Sequence, residues 1–189
     1  MVVIREAIED DWPSIYPFFR AIVAEGRTYA YPENLSPEQA HDLWMQRPPS
    51  STVVALDGRT VVGSASMGPN RPGRGAHVAT ASFMVDPAYQ GHGVGRALGE
   101  HVIEWAREHG YRSIQFNAVV ETNTAAVRLW QALGFEILAT VPEAFDHPDH
   151  GLVGLHIMLR RLAPEDHPSH SSATPGGAVR TPRDRGSGR

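Results

Sequence analysis

The sequence predicts one mixed α+β domain, a mostly antiparallel sheet flanked by helices, and three observations carry that expectation. Short runs of strand-forming residues alternate with segments whose apolar residues recur at helical spacing. A hydrophobic content of 41% over 189 residues suits a single full core. Over 83–110, a strand runs through a glycine-rich turn directly into a helix.

Residues 2–8 open with strand formers, and Glu9, Asp10 and Asp11 then place acidic side chains where a helix N-terminus favours them. Pro13 fits the first turn of that helix, and Ile15, Phe18, Phe19, Ile22 and Val23 give it an apolar stripe that ends near Gly26. Residues 27–35 read as a loop carrying two tyrosines. Ser36, Pro37 and Gln39 supply the N-cap, N1 and N3 positions of a second helix, which stops before Pro48-Pro49. Runs 52–56 and 60–65 flank Asp57-Gly58-Arg59, a hairpin signal; 68–75 reads as a loop and 77–85 as a strand closed by Asp86-Pro87. A helix over 93–109 stops at Gly110, and a strand follows at 113–120. Thr122-Asn123-Thr124 offer caps for a helix at 125–133, and 135–141 and 152–159 are the last strands, separated by a loop at 142–151. The order is βααβββαβαββ. Residues 163–189 hold almost no large apolar side chains, so a folded domain at 1–162 with a disordered tail is expected.

Composition excludes several chemistries. There is no cysteine, hence no disulfide scaffold, thiolate zinc site or cysteine nucleophile. All 17 basic residues are arginine, so a Schiff-base lysine and a P-loop lysine are excluded too. An arginine-only basic set with abundant alanine and glycine fits a GC-rich bacterial genome. The net charge of -4 gives no reason to expect a nucleic-acid partner. The segment MVVIREAIEDDW is charged by position 5, and no apolar run reaches membrane-spanning length. No membrane association and a cytoplasmic location are therefore expected.

The turn after the fourth strand holds the clearest chemistry. Gln90, Gly93 and Gly95 fit Gln/Arg-x-x-Gly-x-Gly/Ala at a helix start. The first turn of a helix has backbone N–H groups without internal partners, and with the helix dipole they favour an anion. Glycines lacking a Cβ let a diphosphate approach the backbone. Gln90, Gly91, His92, Gly93, Val94, Gly95, Arg96 and Ala97 are the candidate cradle, with Arg96 adding a positive side chain. The bland reading is a tight turn only. A dinucleotide fingerprint fits poorly, because it expects the turn after the first strand and an acidic residue about 20 positions on.

Asn123, Ala126, Leu129, Trp130, Gly134 and Phe135 add a second block, Asn-x-x-Ala-x-x-Leu-Tyr-x-x-x-Gly-Phe with Trp in place of Tyr. Together, in this order and spacing, the two blocks resemble the GNAT N-acetyltransferases. The resemblance spans roughly 2–162 and is sharp over 76–142. It implies a GNAT fold in which parallel strands four and five splay apart. It implies acetyl-CoA as cosubstrate and a small-molecule amine as acceptor, with no metal required. The pantetheine arm would pair with the backbone of Phe83, Met84 and Val85, the diphosphate would sit on 90–97, and Asn123, Ala126 and Trp130 would line the arm. Direct attack by the amine needs no covalent enzyme intermediate, and Val85 N–H is the candidate to polarise the carbonyl. Dimers are common among such relatives, so a homodimer is compatible.

The sequence also departs from the family. The usual acid is a tyrosine where Trp130 stands, and indole does not titrate usefully, so Trp130 either positions the cofactor or simply packs. Thr80 stands near the place of a glutamate base in several members. His77 lies on the same strand but, by alternation, on the other face, and a structural role for it stays open. Asn117 is either a satisfied sheet residue or a substrate ligand. The stretches HVATASFMVD, FNAVVETNTAAVRLWQALGF and TVPEAF look like yeast-type azetidine-2-carboxylate acetyltransferases, which carry asparagine where Thr80 stands. Tyr29 and Tyr31 fall where the family closes the acceptor pocket. Asp146, His147, Asp149 and His150 could bind a metal, rim the acceptor pocket or form a plain solvated loop. Besides amino-acid or phosphinothricin-like acceptors, two alternatives stand: acetylation of a protein N-terminus, and a non-catalytic coenzyme-binding module.

Overall fold

The order of elements follows from the alternation of strand and helix signals. In the computed structural model, which describes residues 2–162, β1 (Val2–Glu6) is followed by α1 (Trp12–Glu25) and α2 (Pro37–Trp44). Then come β2 (Ser51–Asp57), β3 (Thr60–Pro69), β4 (Val78–Val85), α3 (Val94–Glu108) and β5 (Ser113–Val120). α4 (Thr124–Ala132), β6 (Glu136–His147) and β7 (Gly151–Arg161) complete it. The expected order βααβββαβαββ is the one found. The tail expected at 163–189 lies outside the described residues.

The seven strands form one sheet in the order β1-β2-β3-β4-β5-β7-β6, and β4–β5 is the parallel pair in an otherwise antiparallel arrangement. One face packs α3 and α4 through Val94, Leu98, Val102, Phe116 and Trp130. The other face packs α1 and α2 through Ile15, Phe19, Trp44, Val54 and Met84. Local chemistry sets the helix ends. Gly26 takes φ +62° and stops α1. Ser36 and Gln39 exchange side-chain and backbone hydrogen bonds of 2.9 and 3.2 Å, so α2 starts on the expected cap. Trp44 Nε1 donates to Ser64 Oγ at 2.9 Å, and Ser64 Oγ donates to the Val53 carbonyl at 2.8 Å, satisfying two buried polar groups. Gly99 is needed where α3 crosses α4, since a Cβ there would meet Leu133 Cδ1 at 2.6 Å and the Trp130 ring at 3.0 Å.

Two sequence boundaries change. The strand expected at 77–85 begins at Val78, leaving His77 just before it. The stretch expected as a loop at 142–151 is mostly strand: β6 continues to His147 and a short turn returns at Gly151, with φ +67°. Pro142 is tolerated because β6 is the edge strand. Its pairing with β7 breaks between Val141 and Phe145, where Glu143 takes φ +52°. Among the described residues, no helix is long and apolar enough to cross a membrane.

The entry to α1 is held by a buried carboxylate. Asp11 accepts from Arg5 Nη1 and Nη2 at 2.7 and 2.8 Å and from Ile8 N–H at 2.8 Å. Arg5 foremost, then that backbone N–H, hold its carboxyl below the usual range against the opposing cost of burial. The folded state therefore gains stability that is complete above the unfolded carboxyl pKa, about 4, and is lost as pH falls through the lower folded value. Asp11→Asn should lower stability at neutral pH and flatten its fall below about pH 4, read by denaturant titration across pH.

Candidate functional site

The sheet is open at its centre. β4 and β5 pair only at Val78–Ser113 and Ala79–Ile114. Beyond that point β4 follows β3 as far as Val85, and β5 follows β7. The two inner edges diverge and leave backbone groups without strand partners. A bulge between Phe116 and Val119 adds a residue to β5 relative to β7 at the mouth of the opening. A cavity of about 380 Å³ occupies the wedge, lined by Phe83, Val85, Gln90, Asn117, Asn123 and Trp130 among others.

Alternation decides which groups of β4 face it. Asp86 N–H donates to the Val62 carbonyl on the β3 side at 3.0 Å, while both backbone groups of Phe83 point the other way. Phe83 and Val85 therefore present their N–H and C=O groups to the wedge. Met84 lines the cavity, but its backbone is turned to β3 and its side chain is buried under α1 and α2. The expected backbone trio is thus a pair.

The turn after β4 runs from the cavity wall at Gln90 to the start of α3. Asp86 Oδ1 accepts from Ala88 N–H at 2.9 Å and starts a 3-10 turn at Pro87–Tyr89. Gly91 and Gly93 take φ +79° and +81°, the left-handed region that favours glycine, and a Cβ at either would meet open space. Gly93 caps α3 without a side-chain oxygen. Ala97 N–H is already spent on the Gly93 carbonyl at 3.0 Å, and His92 N–H leans on Tyr89 O at 3.4 Å. The cradle donors without an acceptor among the described residues narrow to Gly91, Gly93, Val94, Gly95 and Arg96. Gly95 has a packing reason as well, since a Cβ there would stand 3.3 Å from Leu129 Cδ2. The Arg96 guanidinium is exposed and lies 3.5 Å from Glu100.

α4 closes the wedge from the helix side. Asn123 Oδ1 accepts from Ala126 N–H at 3.2 Å, so the asparagine caps α4 and lines the cavity at once. Trp130 lies with its ring centroid 4.6 Å from Phe83 and 4.9 Å from Phe116, and is 6% exposed. It is both a core residue and part of the cavity wall.

The opposite face of β4 carries a second cavity of about 180 Å³, lined by Tyr31, Gln46, Ser66, Gly68, Thr80 and Ser82 among others. Cross-strand pairs Ser66–Ser82 and Gly68–Thr80 put these groups on one face. Tyr31, Thr80, Ala81 and Ser82 line both cavities. Sequence reasoning missed Gln46, Ser66 and Ser82. The available signal was Ser64-x-Ser66-x-Gly68, small polar residues at period two inside an apolar strand. Asn117 is exposed at the bulge; it accepts from Gln115 Nε2 at 2.8 Å and donates to Asn70 Oδ1 at 2.7 Å. His77 is exposed and lines neither cavity. Tyr29 Oη bonds both backbone groups of Phe83, and burial raises the tyrosine pKa. The hairpin tip reaches the loop after α1 through Arg27 and Asp149, 3.0 Å apart. His147 is buried beside His150, ring centroids 4.6 Å apart, and its Nδ1 accepts from Asp149 N–H at 3.1 Å. Among the described residues, no group of three or more His, Asp or Glu side chains is arranged to hold a metal.

Comparison with known proteins agrees with this geometry. The family profile described as acetyltransferase (GNAT) family matches residues 6–135. A GCN5-related N-acetyltransferase structure from Kribbella flavida is 61% identical, with a TM-score of 0.84 over 85% of this chain and 98% of that one. An acetyltransferase from Salmonella typhimurium, solved with its cofactor acetyl-CoA, is 25% identical, with a TM-score of 0.74 over 90% of this chain and 99% of that one. The L-methionine sulfoximine/L-methionine sulfone acetyltransferase of Salmonella typhimurium is 34% identical over 92 residues, 48% of this chain and 53% of that protein. The matches span 46%, 12% and 53% of the lengths of three curated relatives.

Asn123→Ala should cost about 1 kcal/mol of unfolding free energy through the lost cap. Asn123→Ser, which keeps a capping oxygen, should recover most of it in urea titrations.

Proposed function

Because the chain belongs to the acetyltransferase (GNAT) family, we propose that it is an acetyl-CoA-dependent N-acetyltransferase whose acceptor is a small amine, an amino acid or an amino-acid analogue. The observation that carries the reading is a splayed strand edge that lines one cavity together with Gln90, the residue that opens the turn into the uncapped N-terminus of α3. The residues fit the cosubstrate. The amides of Gly93, Val94, Gly95 and Arg96 suit a diphosphate, and Gly93 leaves the space a Cβ would fill. The inner edge at Phe83 and Val85 suits an amide-bearing arm. Bound there, acetyl-CoA supplies an activated acetyl group that a neutral amine attacks, with the coenzyme thiolate leaving.

The chain's own part is to bind, orient and move protons. Val85 N–H, or Phe83 N–H on the same edge, would donate to the carbonyl oxygen as charge develops there. Thr80 and Ser82 would hold water on the acceptor side and pass on the ammonium proton. Trp130 would fix the cofactor arm against Phe83 without proton transfer. A thiol with pKa about 8.5 can leave near neutral pH without a dedicated acid. Asn117, Tyr29 and Tyr31 would border the acceptor. The residues lining the two cavities include one ionisable carboxylate, Glu25, and no cationic side chain. Such walls tolerate an ammonium. The curated relative named for methionine sulfoximine and sulfone supports amino-acid analogues as the first acceptors to try.

The test is thiol release from acetyl-CoA across a panel of amino acids, analogues and amines. Steady turnover supports the enzyme; tight coenzyme binding with no turnover on any amine or peptide N-terminus makes the chain a binding module instead. Gly93→Glu should abolish acetyl-CoA binding in calorimetry while the circular dichroism stays native, because a charged side chain would fill the phosphate cradle. Unchanged affinity in a folded variant would defeat the cofactor assignment.

A further inference from the structure

An edge that opens to receive a ligand has to be satisfied when the ligand is away. At Phe83 it is satisfied by a side chain 54 residues earlier in the chain. Tyr29 Oη donates to the Phe83 carbonyl at 2.7 Å and accepts from the Phe83 N–H at 2.9 Å. One hydroxyl thus serves both backbone groups of a single residue, as a neighbouring strand or an amide arm would.

Its seat is specific. The Tyr29 ring stacks on Tyr31 at 5.0 Å and meets the Trp44 ring edge-on at 6.3 Å. The loop that carries it leaves α1 at Gly26, whose left-handed backbone turns the chain back toward the sheet. The carbonyl of Phe83 has two lone pairs and could serve two partners. The N–H has one hydrogen and serves one.

We propose that Tyr29 is a resident occupant of the wedge, a positioning residue whose hydroxyl must leave Phe83 before acetyl-CoA can take the same backbone groups. The proposal rests on the cofactor reading above and deepens it. Tyr29 and Tyr31 belong to one loop, and Tyr31 lines the second cavity with Thr80 and Ser82. Displacing Tyr29 therefore shifts a wall of the acceptor side, so occupancy of the wedge and the shape of the acceptor cavity are coupled.

Tyr29→Phe tests this. It keeps the ring and its packing but leaves the Phe83 N–H and C=O without their partner in the free protein. Acetyl-CoA should then bind about ten-fold more tightly in calorimetry, the scale of one or two net hydrogen bonds that no longer have to be broken. The free variant should melt lower than the wild type, and saturating acetyl-CoA should close the gap. Phe83 amide hydrogen exchange should be faster in the free variant than in the free wild type, and slow again when acetyl-CoA is added. A merely structural tyrosine gives the opposite sign, a damaged site that binds more weakly. Equal or weaker affinity in folded Tyr29→Phe overturns the proposal and leaves the cofactor assignment standing; a wild type that binds no acetyl-CoA overturns both. If the variant does not fold, wild-type protein with ¹³Cζ-labelled tyrosine decides. The Tyr29 signal must move toward its solvated position as acetyl-CoA saturates, and a signal that stays put sinks the idea.

Discussion

The structure is organised by one constraint: two neighbouring strands stop pairing in the middle of a sheet, and buried backbone groups cannot remain unpaired. After Ala79 and Ile114, β4 and β5 part company. Tyr29 takes the backbone groups of Phe83. The bulge in β5 keeps that strand on β7 while turning Asn117 outward. Without these substitutes the opening would leave donors and acceptors in a low-dielectric interior, at a cost of about 1–3 kcal/mol each.

The opening also needs rigid walls. An aromatic cluster supplies one. Phe116 stacks on Phe135 at 4.3 Å, and Trp130 fills the corner between Phe83 and Phe116. Trp130 can sit so deep because Gly99 on α3 gives its ring room. The other wall is polar in its lining yet built on an apolar layer. Small hydroxyls on β3 and β4 border the second cavity, where Trp44 is fixed by its bond to Ser64. Close packing behind the cavities is what lets the cavities themselves remain open.

Much of this was legible in the sequence, and the failures have physical causes. Periodicity gave the order of elements, because helices and central strands each bury a regular set of side chains. The glycine turn and the asparagine block were legible as a turn and a helix cap, because positive φ and capping demand particular residues. The stretch 142–147 escaped because this edge strand is exposed as far as Glu143 and Ala144, alternates only at Phe145 and His147, and holds Pro142 inside it. The trio Phe83, Met84 and Val85 overcounted because backbone orientation alternates along a strand, and only register tells which residues face the wedge. The reach of Tyr29 to Phe83 and of Asn117 to Asn70 escaped because long-range contacts between loop and sheet leave no local pattern.

The single extra residue in β5 is absorbed within its neighbourhood. Phe116 and Val119 both pack in the layer under α3 and α4, although an odd number of positions separates them. Val120 then drops into the opposite layer with Phe145 and Val153. Removing one amino acid between 116 and 119 would place Phe116 and Val119 two apart in a regular strand, leaving both layers as they are and erasing only the bulge at Asn117.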